Sequence, residues 1–288
     1  MGKKIKPTGE LKPSPTLERQ AKQIQIEQKI EENMAKIHHK IAVISGKGGV
    51  GKTTIAANLA LFLASKNETV GVLDVDITGP NMAKILGISD RPEIDPLDQS
   101  IIPVKGPLNT SVMSMAFLLD SDQTPVIWRG PMKMSIIREF LGSVAWGTLE
   151  YLIVDLPPGT GDETLDIMQL IKNLDGVIVV TTSQDMSLIS VSKTISMAMK
   201  MDVKVLGVIE NMSSYRCPNC GQDSHIFGKE GAAEALAGQF QVPFLGSVPL
   251  DPIGMQYGCS ENAQGQGTAK AAFESIFENI YVKLQGTS

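Results

Sequence analysis

The chain has 288 residues, 42% of them hydrophobic and 20% charged, with 27 glycines, which excludes wholesale disorder and a fibrous repeat and allows one large or two modest domains. Three cysteines are too few for a secreted disulfide framework. The net charge of −5 divides unevenly, +4 over residues 1–40 and −9 over residues 41–288, and an acidic body argues against a dedicated nucleic-acid surface. No stretch approaches the ~18–20 apolar residues of a membrane span, and Met1 to Lys12 lack the apolar centre of a signal peptide. The expectation is a cytoplasmic protein that uses neither membrane nor nucleic acid. Aromatics at 5% leave the core to Val, Ile, Leu, Ala and Met.

Residues 1–13, rich in Lys, Pro and Gly, are expected to lack fixed structure, and Ser14 followed by Pro15 marks a helix start. Leu17, Ala21, Ile24, Ile26, Ile30, Met34 and Ile37 recur at three- and four-residue steps, predicting an amphipathic helix that packs on its own body or on a second copy. His38 and His39 close this segment as solvated last-turn residues. Residues 1–39 thus read as a flexible basic leader carrying one helix, and residues 40–288 as the main domain.

From residue 41 short apolar runs alternate with helical patterns. The runs are Ile41 to Ser45, Thr69 to Asp74, Tyr151 to Asp155, Gly176 to Thr182, Val203 to Glu210 and Phe244 to Val248. Helical patterns cover 51–65, 131–146, 163–172, 186–201, 229–240 and 268–285, and shorter edge strands are expected near Ile101 to Val104 and Thr110 to Met115. Continuous apolar strands joined by crossover helices predict an α/β fold, a doubly wound, mostly parallel sheet with helices on both faces.

The first strand leads into Gly46-Lys47-Gly48-Gly49-Val50-Gly51-Lys52-Thr53-Thr54, which satisfies G-x-x-x-x-G-K-[ST] between a strand and a helix. Such a P-loop turns consecutive backbone N–H groups toward a phosphate chain, and the helix N-terminus adds a favourable dipole. Lys52 is expected to reach the β- and γ-phosphates of ATP, and the Thr53 hydroxyl to coordinate Mg2+. Two more elements follow at strand ends: Asp74 and Asp76 in DVDITGPN, and Asp155 in DLPPGTGD, where Asp155 would hold Mg2+ and Gly159 approach the γ-phosphate.

Lys47, a second lysine inside the loop, resembles the deviant Walker A group to which the MinD, ParA and nitrogenase iron-protein ATPases belong. The resemblance implies that Lys47 crosses a dimer interface to the partner's nucleotide, that Asp76 orients or activates the attacking water, and that Asp74 supports the site. Asn211, at a strand end, resembles the residue that reads adenine; a turn or cap is its plainer role.

Cys217-Pro218-Asn219-Cys220 has the spacing of a metal or redox pair. Together, GKGGVGKTT, DVDITGPNM, IWRGPM (127–132), DLPPGTGD, ENMS (210–213), CPNCG, IFG (226–228) and VPFLGSVPLD (242–251) resemble the Mrp/ApbC family of iron–sulfur cluster carrier ATPases over about residues 40–285. The resemblance implies a homodimer in which Cys217 and Cys220 of each copy hold a bridging [4Fe-4S] cluster for transfer to apo iron–sulfur proteins, with slow ATP hydrolysis. Two thiolates cannot fill a four-thiolate site, but a two-fold axis doubles them. The same four thiolates would also suit Zn2+, and a thiol/disulfide couple is the other chemistry open to the pair.

His225 is either an auxiliary ligand or a surface-loop residue, and Cys259 has no neighbour at ligand spacing. Neither the N-terminal four-cysteine motif of some eukaryotic relatives nor the small acidic domain of many bacterial ones occurs in residues 1–40, which points to a minimal prokaryotic form. A MinD- or ParA-type positioning ATPase is the main alternative. Against it stand the balanced charge of Thr268 to Ser288 and the acidic body.

Overall fold

The structure, a computed structural model, describes residues 15–77, 79–119, 130–217, 219–251 and 268–286. Along the chain these form α1 (Pro15–Met34), β1 (Ile37–Ser45), α2 (Lys52–Ser65), β2 (Val70–Asp74), α3 (Met82–Ile85), β3 (Glu93–Ile94), β4 (Ile101–Ile102), β5 (Val104–Lys105), β6 (Ser111–Ser114) and α4 (Gly130–Ser143). Then come β7 (Leu149–Asp155), α5 (Asp162–Leu170), β8 (Gly176–Thr181), α6 (Asp185–Lys200), β9 (Val205–Arg216), β10 (Asp223–Ser224), α7 (Ala232–Gln239), β11 (Phe244–Leu250) and α8 (Thr268–Gln285).

One nine-stranded sheet runs β10-β9-β8-β1-β7-β2-β6-β5, with β11 also paired to β9. Its central pairs are parallel, and β5 and β10 add antiparallel edges. The central strands are apolar throughout because helices cover both sides: Ile41, Val43, Val72, Ile153, Val154, Ile178 and Val179 are all fully buried. Right-handed crossovers put α2 on one face and α4, α5 and α6 on the other, since the chain leaves β1 toward β2 in one direction and β7 toward β8 in the opposite one. That reversal opens a crevice at the carboxyl ends of β1, β7 and β2.

The predicted strands and helices all occur, with informative differences in extent. Strand β1 begins at Ile37, so the helical pattern ends at Met34, and residues 37–39, assigned above to the leader, lie in the sheet. His39 is therefore not a solvated last-turn residue: it is buried, stacks on Tyr151 and contacts Asp175 through Nδ1 at 3.2 Å. The physical reason is pairing, since β1 matches β7 from Ile37↔Leu149 onward.

Helix α1 docks on its own body. Ile30 and Met34 are buried, whereas Ile24, counted in the apolar stripe, is exposed. Gly142 in α4 has no side chain to hold α1 away; a Cβ there would lie 3.0 Å from Ile26 and 3.2 Å from Ile30. The Asn33 amide faces the Leu141, Gly142 and Val144 carbonyls at 3.0–3.2 Å, satisfying the open end of α4. Lys40, buried, donates from Nζ to the Ile37 carbonyl at 2.7 Å and to that of Met34 at 3.3 Å, and burial lowers its pKa. Among the described residues no helix is long and apolar enough to cross a membrane.

Candidate functional site

The register of the sheet assembles the acidic part of the site. Asp74 pairs with Asp155 across β2 and β7, and Asp155 pairs with Val43, which precedes the loop that leaves β1. The loop's last glycine, Gly51, stands at φ 83°, a left-handed conformation that a side chain would strain. A Cβ there would also fall on the Asn211 side chain. From Lys52 onward α2 is regular, so its open N-terminal amides face the cavity.

That cavity measures about 570 Å3 and is walled by Gly48, Gly49, Gly51, Thr53 and Thr54 on the loop side, and by Asp76, Asn81 and Pro158 on the other. Lys52, 5% exposed, contacts Asp155 Oδ1 at 2.5 Å and Asp76 Oδ2 at 3.6 Å, while the Thr53 hydroxyl donates to Asp155 Oδ2 at 2.6 Å. Asp74 accepts hydrogen bonds from the Ser114 hydroxyl at 2.8 Å, the Asp76 amide at 3.1 Å and the Met82 amide at 3.3 Å.

Burial, reinforced by the neighbouring Asp155, pushes the Asp74 carboxyl up to about 7 despite its hydrogen bonds. Asp155 is also raised, because full burial outweighs the attraction of Lys52 and the hydrogen bonds from Lys52 and Thr53. Two carboxyl groups, Asp155 and Asp76, thus contact one lysine, with Asp74 buried beside them. This surplus of hard oxygen donors beside a hydroxyl fits Mg2+, with Thr53 and Asp155 as the groups that would hold it.

The other site residues fall in two places. Val50 is buried and its carbonyl accepts from Asn211 Nδ2 at 2.9 Å, whereas Asn211 Oδ1 is buried with no hydrogen-bond partner in the structure, an acceptor free for a ligand's N–H. Lys47 does not join Lys52; its Nζ donates to Gln184 Oε1 at 2.7 Å. Gly159 donates its amide to the Ser45 carbonyl at 2.8 Å, tying the segment after β7 to the end of β1. Of the 127–132 motif, residues 127–129 lie outside the described residues, as do Pro218, Cys259 and Thr78.

Cys217 and Cys220 sit at the tip of a hairpin. Strand β9 runs on past its predicted end at Glu210 to Arg216, because its second half pairs with β11 and β10. The Cys217 amide donates to the Gln222 carbonyl at 2.9 Å and the Gly221 amide to the Cys217 carbonyl at 2.8 Å, closing the tip. Cys220 is exposed and Cys217 half-buried, and both are free thiols. The Cys220 and Asn219 amides, aimed at the Cys217 sulfur, lower its pKa, which favours the thiolate that binds metal.

His225 is placed as a strut: Nδ1 lies 3.0 Å from the Ser213 carbonyl and Nε2 3.5 Å from Glu230. Among the described residues no group of three or more His, Cys, Asp or Glu is arranged to hold a metal. Sequence reasoning missed Gln184, Ser183, Ser247 and the role of Glu210 as a buried acceptor; no short motif marks them, since their partners are remote in the chain.

A phosphate-binding loop with two lysines at the switch point of a parallel sheet, facing paired aspartates, defines a P-loop NTPase of the deviant Walker A class. Comparison with known proteins narrows this. The model of the NUBPL iron-transfer P-loop NTPase family matches residues 36–285, and the chain belongs to that family. It is 49% identical over 224 residues to an iron-sulfur cluster carrier protein of Methanocaldococcus jannaschii, covering 77% of this chain and 76% of that one. It is 45% identical over 221 residues to a cytosolic Fe-S cluster assembly factor NUBP2 homolog of Trichoplax adhaerens, covering 75% and 83%. Among solved structures, a nucleotide-binding protein from Archaeoglobus fulgidus in complex with ADP superposes with a TM-score of 0.68 at 36% identity, covering 86% and 92%. The septum site-determining protein MinD of Pyrococcus horikoshii shares the fold, with a TM-score of 0.60 at 22% identity and coverage of 84% and 96%.

Proposed function

We propose that the protein is an ATP-dependent iron–sulfur cluster carrier that acts as a homodimer, receiving a [4Fe-4S] cluster as cargo and passing it to apo iron–sulfur proteins. The observation that carries this reading is the path of β9: Asn211 is bonded to the P-loop, and the same strand continues to the hairpin that exposes two thiols. Nucleotide pocket and proposed cargo site are thus joined by one strand.

At the pocket, the loop amides and Lys52 receive the phosphate chain, and a γ-phosphate competes with Asp155 for the ammonium. Asn211 Oδ1 accepts from the adenine amino group. Thr53 and Asp155 are the groups that would hold Mg2+, which when bound would supply charge neutralisation at the phosphates. Asp76, next to Lys52, orients the attacking water, and Lys47 reaches the nucleotide of the other copy. Hydrolysis is slow because such a device needs switching more than flux.

At the hairpin, the Cys220 and Asn219 amides lower the Cys217 thiol's pKa and so favour the thiolate form that binds iron. Two copies supply the four sulfurs that a [4Fe-4S] cluster takes. Met186 and Ile189, 70% and 56% exposed on the first turns of α6 beside Gln184, supply apolar area for the second copy.

The test is anaerobic reconstitution followed by iron and sulfide analysis, visible and electron paramagnetic spectra, and transfer to an apo-acceptor. Four iron and four sulfide per dimer are expected, with none in Cys217→Ser or Cys220→Ser. Loading and delivery by both variants, or a chain that stays monomeric at every concentration and nucleotide state, would overturn the proposal. Zinc without sulfide would replace the cargo and keep the dimer.

A further inference from the structure

Residues 182–184, joining β8 to α6, touch both halves of the molecule. On one side Gln184 Oε1 accepts the hydrogen bond from Lys47 Nζ at 2.7 Å. On the other, Gly228, on the segment returning from the cysteine hairpin, lies so close to Ser183 that a Cβ at Gly228 would fall on the Ser183 carbonyl oxygen. Between them the Ser183 hydroxyl donates to Glu210 Oε1 at 2.6 Å, and Ser247 donates to Oε2 at 2.7 Å. Thr182 and Ser187 hydroxyls, 3.0 Å apart, fix the loop to α6.

This is more than a loop anchor needs. Glu210 is 3% exposed, and burying a carboxylate between two hydroxyls costs desolvation that a neutral side chain would avoid. Its use here ties the loop by one directional hydrogen bond to Glu210 on β9, and Glu210 in turn to Ser247 on β11, beside the strand that leads into the hairpin. The contacts run from Lys47 to Gln184 and from the adjoining Ser183 to Gly228, which the backbone of residues 225–227 connects to the thiol hairpin, with Glu210 joining Ser183 to β9. A chain of packed and hydrogen-bonded groups of this kind transmits a local change when it has two arrangements.

We propose that Gln184 is a positioning residue that parks Lys47 on the 182–184 loop, and that release of Lys47 to a nucleotide phosphate unseats the Ser183–Gly228 contact and moves the cysteine hairpin. The proposal rests on the carrier reading above, and adds to it the route by which the nucleotide alters access to the cargo site. Gln184 acts on the hairpin through this loop, not by touching nucleotide or cluster.

The test is iodoacetamide labelling of Cys217 and Cys220 in the full, cluster-free chain. Peptide mass spectrometry resolves each thiol, nucleotide is saturating for each variant, and rates are compared at equal dimer fraction. The unmodified protein should label with rates that differ about fivefold or more between Mg-ATP and Mg-ADP. In Gln184→Ala the ratio should fall below about twofold, the ADP rate having moved to the ATP rate. Gln184→Glu, which holds Lys47 as an ion pair, should collapse the ratio from the other side, its ATP rate moving to the ADP rate. Opposite directions from two substitutions at one position are not what a structural role produces. Both variants retaining the parental ratio, or shifting in the same direction, would overturn the relay and leave the carrier reading intact. A parental protein with equal rates in both nucleotides overturns the relay as well; cluster loading by that protein then decides the carrier reading separately.

Discussion

At the carboxyl ends of β1, β2 and β7 the charged groups are sealed in: Asp74 and Asp155 are fully buried and Lys52 is 5% exposed. Beyond the end of β9 the reactive groups are presented instead, with Cys220 exposed and Cys217 half-buried and bonded through its backbone to Gln222 and Gly221 of its own hairpin. Asn211 on β9 links the first region to the strand of the second, and the tasks proposed for the two differ. A phosphate site gains from pre-placed, desolvated charge, because interactions there are strong and need no reorganisation. A site that hands over its cargo gains from few contacts and open access. The buried region should therefore respond to substitution with losses of stability, and the exposed one with losses of chemistry alone.

The largest effect is expected from Lys52→Ala. It removes the cation from Asp155, and an uncompensated buried charge costs about 3 kcal/mol. Nucleotide binding should be lost at the same time. Urea unfolding at pH 8 and pH 5 checks the cause: the deficit should shrink at the lower pH, where Asp155 can take up a proton. An equal deficit at both pH values would show that the lysine's packing, not its charge, was lost.

Asp74→Asn comes next and carries a pH signature. The carboxyl has a pKa near 7 in the fold against 3.8 unperturbed. Between those values the folded chain keeps a proton that the unfolded chain has released, so this group's contribution to stability falls as pH rises and is fully lost above about 7. The variant should therefore gain on the parent by on the order of 2 kcal/mol between pH 5 and pH 8. A difference independent of pH would mean that Asp74 ionises in the fold as it does in the unfolded chain.

How much of this contrast was legible in the sequence follows from the range of the interactions. The P-loop and the strand-end aspartates stand in contiguous motifs, because one turn must cradle one phosphate chain, and apolar runs placed the central strands closely. The extension of β9 to Arg216 was missed because Met212, Ser213, Ser214 and Tyr215 are not an apolar run; their pairing with β11 and β10 makes them a strand. His38 and His39 read as a polar helix end for the same reason, although pairing with β7 holds β1 from Ile37. Gln184 and Glu210 bind partners far away in the chain, a relation that no local pattern encodes.

The docking of α1 lies between the two extremes. The Asn33 amide meets three carbonyls at the end of α4, and its loss leaves them without that donor. Asn33→Ala is expected to cost about 1–2 kcal/mol and to hasten proteolysis within residues 15–34. Unchanged protease resistance would assign the docking to Ile30 and Met34 alone.

The smallest effect on stability, and the sharpest use of the comparison, belongs to the cysteines. Cys217→Ser with Cys220→Ser changes two groups at a solvent-facing tip whose closing hydrogen bonds are made by backbone atoms, and backbone bonds survive the substitution. Surface changes of this kind move stability by no more than about 0.5 kcal/mol. Cluster loading should nevertheless disappear, because a serine hydroxyl does not replace a thiolate in an iron–sulfur site. Lys52→Ala should do the reverse, weakening the fold and the nucleotide site while leaving both thiols able to bind. If the double cysteine variant unfolds several kcal/mol more easily, the hairpin is a structural element of the body, and the division between a sealed nucleotide site and an open cargo site fails.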